Sequence, residues 1–274
     1  MTSVIKVRWI YLAIPLLAAF AKPLWAGTEV KARLESSVYK EARVDVIASI
    51  GDGHLRFDFQ GPWSHGSLIY ERDSALLTVV DHLHKTVLPL TQDSQTFLKM
   101  MGAVASQKLR AKISGSGDGA RVAFELASEN ARAFFNGAPA LRDKGIRKEG
   151  FTCDGYRTDL GGKKAREVWV TVPQSAGMGT EDYDTLRSMV HQVVDLLGPE
   201  LDQMGADTGT FLQGLSEPQL PVSEILYAAG RPSGRFRITG VKPREFGPGV
   251  FDPPADYQVL GMLDLVKTGV NGPP

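Results

Sequence analysis

The chain has 274 residues, 43% apolar and 23% charged, and its 31 Lys+Arg balance 31 Asp+Glu for a formal net charge of +0. That balance offers no basic face to nucleic acid. The single cysteine, Cys153, excludes an intramolecular disulfide framework.

Lys6 and Arg8 precede the apolar run Trp9 to Phe20, and "AKPLWAG" follows it. A basic start, a short apolar stretch and a short closing segment make residues 1–26 the expected export leader, cut after Ala26. Leu24 is bulkier than that cut favours. The alternative, a membrane anchor, needs roughly 20 apolar residues, and this run ends earlier, at Lys22-Pro23. Removing the leader takes away Lys6, Arg8 and Lys22, leaving 248 residues with 28 Lys+Arg against 31 Asp+Glu, a formal −3. One thiol, and none beside the cleavage point, fits a periplasmic protein better than a disulfide-rich secreted one or a lipid-anchored one.

Short strands follow. "TEVKARLES", "ARVDVIASI", "HLRFDFQG", "GSLIYERD", "ALLTVVD" and "KTVLPL" succeed one another with Gly, Asp or Ser at the joints. The connections are too short for crossover helices, so an antiparallel meander is expected. Asp81, His82 and His84 sit between the last two strands. They read either as an incomplete metal set or as a polar hairpin turn, and the turn explains the same letters without a metal. From Thr91, Phe97, Leu98, Met100, Met101, Val104 and Ala105 fall on one side of a helix that Asp93 or Ser94 can cap. "KLRAKISG" returns to strand character. Gly115, Gly117 and Gly119 make a turn that lacks the lysine of a phosphate loop.

In the second half, "FTCDGYRTDL" and "KAREVWVTVP" flank Gly161-Gly162 as a hairpin that places Cys153 as a small buried apolar side chain. A second helix starts at Thr180, with Tyr183, Leu186, Met189, Val190, Val193, Val194 and Leu197 at spacings of three and four until Gly198-Pro199. "SEILYAAG" and "GRFRITGVKP" read as strands, and "VFDPPADYQVL" as extended chain. No linker divides residues 27–258, which read as one domain. Residues 259–274 read as a poorly ordered tail.

No Gly-x-Ser-x-Gly or His-Glu-x-x-His is present, and the acidic pairs Glu181/Asp182 and Asp252/Asp256 read as capping and solvated groups. No catalytic residue, metal ligand or cofactor is assigned. The apolar stripes read as an ordinary core or as the wall of a pocket.

The order of these elements resembles the bacterial periplasmic LolA/LppX-like carriers, and more closely their relatives in domain-of-unknown-function family 4412. The resemblance is carried by Asp81 and Lys85 at the hairpin, Cys153 and Tyr156, Glu167, Trp169 and Val170, and finally Phe251, Pro254 and Tyr257. It implies an α+β fold: a strongly curved antiparallel sheet, an unclosed half-barrel, with helices over its concave face. It also implies an apolar ligand, a lipid or lipoprotein acyl chain, held beneath a mobile helical lid. The candidate lining is Phe57, Phe59, Phe97, Met100, Met101, Trp169, Met189, Val190, Val193 and Leu197. The alternative is an envelope protein-interaction module with a filled core. An exported hydrolase is a third reading.

Overall fold

In the computed structural model, residues 25–36, 42–61, 65–91, 139–203, 218–228 and 230–261 are described, with isolated positions 94, 132 and 136. Alternating apolar and polar residues make β1 (Trp25–Ser36), β2 (Ala42–Gly51) and β3 (His54–Gln60) two-faced strands. The meander continues through β4 (His65–Glu71), β5 (Leu76–Asp81) and β6 (Thr86–Leu90). A second run comprises β7 (Ala140–Lys148), β8 (Phe151–Leu160), β9 (Lys163–Thr171), β10 (Leu220–Ala228) and β11 (Arg231–Phe246). The short β12 (Gln258–Val259) comes last.

All twelve form one sheet in the order β12-β6-β5-β4-β3-β2-β1-β11-β10-β9-β8-β7. Every pairing is antiparallel except β12 with β6, which is parallel. The two runs meet at the centre, where β1 pairs with β11 from Trp25↔Phe246 to Ser36↔Gly234. Trp25 and Ala26, the last residues of the expected leader, lie within β1.

This corrects the α+β expectation. One mixed sheet dominates, and the described residues contain a single long helix, α1 (Thr180–Gln203), preceded by a 3-10 turn at Pro173–Ala176. Among the described residues the helix packs chiefly on β2 and β3, and no second long helix lies over the sheet. Within each run short turns join one strand directly to the next, so the described residues are mostly sheet. α1 also runs through Gly198-Pro199 to Gln203. A proline costs its own amide and crowds the carbonyl four residues back, and so near the helix end few later turns depend on that bond. The expected first helix, with Phe97, Met100 and Met101, lies outside the described residues, as does "KLRAKISG".

The main core lies on the α1 side of the sheet, with Ile50, Leu55, Met178, Val222 and Ile238 completely or almost completely buried. A smaller cluster of Ile69, Val80 and Val87 occupies the opposite side and is covered by Tyr257. Beyond β11 the chain crosses that opposite side as a strap. Phe251 packs edge-on against Phe246, and the Arg56 guanidinium donates to the Val250 and Asp252 carbonyls at 3.1 and 3.3 Å. Leu260 N–H then donates to Val87 O at 2.8 Å.

Cys153 is buried in the main core, and its thiol pKa is pushed up, first by burial. The folded protein is therefore expected to react with a disulfide reagent far more slowly than the urea-unfolded chain, because the thiolate is the nucleophile. Stopped-flow thiol titration at one pH checks this, and equal rates would place the sulfur at the surface.

Candidate functional site

Side chains at alternate positions of β1 and β2 share a face, and here they form the floor of an apolar groove. Val30, Ala32 and Leu34 lie beside Val44, Val46, Ala48 and Ile50. Phe57, Phe59 and Leu68 make one wall, Phe236 and Ile238 the other, and Met178 with Leu186 closes one end. The groove holds about 490 Å³, within the range of small-molecule sites. No charged side chain is among the described residues that line it.

The groove runs along the strands and opens towards one end. Exposure rises along β1 from 7% at Val30 to 44% at Leu34, while on β2 Ile50 is fully buried and Ala48 nearly so.

The helical wall is held by polar bonds. Thr28 Oγ1 donates to Asp182 Oδ2 at 2.6 Å, and burial raises the Asp182 pKa against the lowering effect of this bond. Arg72 reaches Thr185 Oγ1 at 3.4 Å and Glu181 at 3.5 Å. Gln192 Nε2 donates to the Ala75 carbonyl at 2.6 Å. Tyr183 donates its hydroxyl proton to Gln219 O and accepts from Gln219 N–H, both at 3.2 Å. These bonds tie the described helix to β1, to the turn after β4 and to the chain before β10.

Of the expected lining residues, Phe57 and Phe59 border the groove. Met189 is buried in the main core, with Val190, Val193 and Trp169 packed against it. Trp169 carries Lys148 Nζ 4.1 Å above its ring. Leu197 is 44% exposed and outside the groove. Phe97, Met100 and Met101 lie outside the described residues. The β1 and β2 contributors were missed. Val30, Ala32, Val44, Val46 and Ala48 show the right alternation, but small aliphatic side chains on a strand read as ordinary core.

Three polar constellations lie elsewhere. Asp81 accepts from the Leu83 and His84 amides at 2.8 and 3.1 Å and bonds the His84 ring at 2.7 Å. Burial alone would raise its pKa, but the His84 and Leu83 bonds outweigh burial and hold it low. This is a closed turn between β5 and β6. Among the described residues no group of three His, Cys, Asp or Glu side chains is placed to hold a metal.

His82 turns the other way, placing Nε2 2.8 Å from Ser67 Oγ. Ser67 Oγ donates to Asp58 Oδ1 at 2.5 Å and accepts from Arg56 at 3.1 Å. Serine, histidine and aspartate thus meet, but the carboxylate holds the serine, not the imidazole. Ser67 is fully buried, with its proton and both lone pairs engaged. That geometry supports no nucleophile.

The third is a buried ion pair: Arg166 Nε stands 2.8 Å from Glu224 Oε1, with Glu224 only 8% exposed at its side chain. Burial pushes the Glu224 pKa up, against the lowering effect of Arg166. Close by, Tyr227 donates to Glu167 at 2.6 Å and Lys164 donates to the same carboxylate at 3.1 Å.

No protein-family model matches the chain, and no curated protein sequence matches it significantly. Solved structures resemble it weakly. An uncharacterised conserved protein from Thermus thermophilus is 10% identical with a TM-score of 0.40, over 90% of this chain and 98% of that one. MucB in the MucA/MucB complex of Pseudomonas aeruginosa is 10% identical with a TM-score of 0.36, over 86% of this chain and 58% of that one. MucB in complex with MucA(peri) is 11% identical with a TM-score of 0.34, over 87% and 57%. At these scores the likeness carries neither a family nor a function.

Proposed function

We propose that this chain is a non-enzymatic binding module that takes an apolar chain, of the acyl or alkyl class, into the groove between β1–β3 and α1. One observation carries the reading: about 490 Å³ of space whose described walls bear no charged group. Such a site selects by desolvation, at about 0.8 kcal/mol for each methylene removed from water, and gives little discrimination among head groups. The open end at Leu34 leaves a polar head in solvent. Lys6, Arg8 and the run Trp9 to Phe20 support export, and with it a periplasmic site of action. No helix among the described residues is long and apolar enough to cross a membrane.

A second reading, an envelope protein-interaction module, is favoured by β7. This terminal strand of the sheet is exposed along most of its length, with Leu141 51% exposed among Arg142, Lys144, Arg147 and Lys148. Its register breaks at Leu141/Asp143 and Asp143/Ile146. Irregular, lysine-bearing edges resist indiscriminate strand pairing, and an acidic partner suits the charge.

Native mass spectrometry and solvent extraction of the full chain separate the two readings. The first expects a co-purifying fatty acid or phospholipid, and displacement of a bound naphthylamine probe by palmitate. Absence of lipid together with absence of probe binding would leave only the partner-protein reading.

A further inference from the structure

The strap offers a second inference, independent of the groove. We propose that His82 is a proton-sensitive latch that keeps residues 250–261 docked along β6 and over the Ile69/Val80/Val87 cluster. The hydrogen-bond directions are determined step by step. Asp58 carboxylate oxygens only accept, so the Ser67 proton points at Asp58. Ser67 Oγ must then accept from His82, which puts a hydrogen on His82 Nε2. In the neutral ring Nδ1 is left as an acceptor, and Tyr257 OH, 3.0 Å away, donates to it. A second proton would occupy that nitrogen, and Tyr257 would then have to turn its hydroxyl and accept from an imidazolium held beside Arg56 and His65.

The surroundings decide what that proton costs. Arg56 and Asp58 face the ring from β3. His65 lies on β4 with its ring centroid 4.8 Å from that of His82. Asp81, His84 and Lys85 share the turn, and the strap brings Asp252, Asp256 and Tyr257. Burial, then the His65 and Arg56 charges, outweigh the pull of Asp58 and Asp81, so the His82 pKa is lowered. A base with a lowered folded value stabilises the docked state fully above its unfolded value, ordinarily near 6.5, and loses that contribution as pH falls through the folded value. Acidification therefore loosens the strap. It uncovers Ile69, Val80 and Val87, and frees Lys85 O and Val87 O, which accept from Gln258 and Leu260. What it opens is a sheet edge suited to strand addition.

Amide exchange by NMR on the full chain tests the latch. Protection factors for Gln258 and Leu260, corrected for intrinsic exchange, are expected to fall about fivefold or more between pH of about 7.5 and about 5, as the ring beneath the strap takes up its proton. His82→Gln, which does not titrate, is expected to remove that dependence. His65→Gln is expected to keep it with a shifted midpoint. In the unsubstituted protein, imidazole nitrogen shifts are expected to report the Nε2–H tautomer at the higher pH, a measurement independent of whether variants fold. Unchanged protection, an Nδ1–H tautomer, pH dependence surviving His82→Gln, or pH dependence abolished by His65→Gln would each overturn the proposal.

Discussion

Replacing Ala32 with phenylalanine is expected to weaken an alkyl probe's binding at least about tenfold while leaving the urea midpoint nearly unchanged. Ala32 lies midway along the groove floor, opposite Val46 on β2 and Ile238 on β11. In a filled core the larger side chain would cost about 1–3 kcal/mol through overpacking. Here it enters open space and buries its own ring. Displacing about two methylenes of a guest forfeits about 1.6 kcal/mol, a little more than tenfold in Kd. The two readouts move in opposite ways under the competing picture. A destabilised variant with unaltered probe affinity would mean that the site at Ala32 is packed and the probe binds elsewhere.

The other large effect concerns Arg166. Arg166→Ala is expected to cost about 3–5 kcal/mol in urea denaturation, because it strands the Glu224 carboxylate in the interior. A paired change, Arg166→Met with Glu224→Leu, is expected to recover most of that loss, since well-packed apolar residues often replace a buried ion pair at little cost. The pH dependence has a definite sign. Glu224 has a raised folded pKa, mainly from burial, so its contribution is complete below the unfolded carboxyl value and fades as pH rises through the folded one. Without the guanidinium the folded value climbs further, so the penalty of Arg166→Ala shrinks on acidification. A penalty under about 1 kcal/mol that ignores pH would show that the pair is solvated.

How much of this was legible in the residues depends on what each strand buries. β1 to β3 alternate because one face meets the core, whereas β4 to β6 bury side chains on both faces and were legible as short apolar runs between polar joints. β8 to β11 were readable for the same reason. β7 was not: "ALRDKGIRK" carries four cations and a glycine, and an edge strand with most residues in solvent leaves no alternation to detect. β12 is only two residues long and follows a Pro-Pro pair, and it is held by the β6 carbonyl row and not by its own composition. The α+β expectation failed because it rested on a resemblance and not on the strand count. The turn at Asp81 was readable, since aspartate before a tight turn can bind the amides ahead of it. The role of His82 was not, because it needs Ser67, Asp58 and Tyr257, the last 175 positions away. The Glu224–Arg166 pair spans 58 positions and likewise has no local signal.

The central seam, β1 against β11, has a kinetic consequence. Its bonded partners, Thr28 and Pro243 among them, lie at opposite ends of the chain. Such distant pairing must overcome a long loop closure before it is rewarded, which slows folding. The early meander can assemble while the rest is still being made, but β1 keeps an unpaired edge until β11 arrives. For a chain that emerges from its N-terminus, the middle of the finished sheet closes only when β11 has been made, after both flanking runs. The interval before closure is when association with other chains is most favoured.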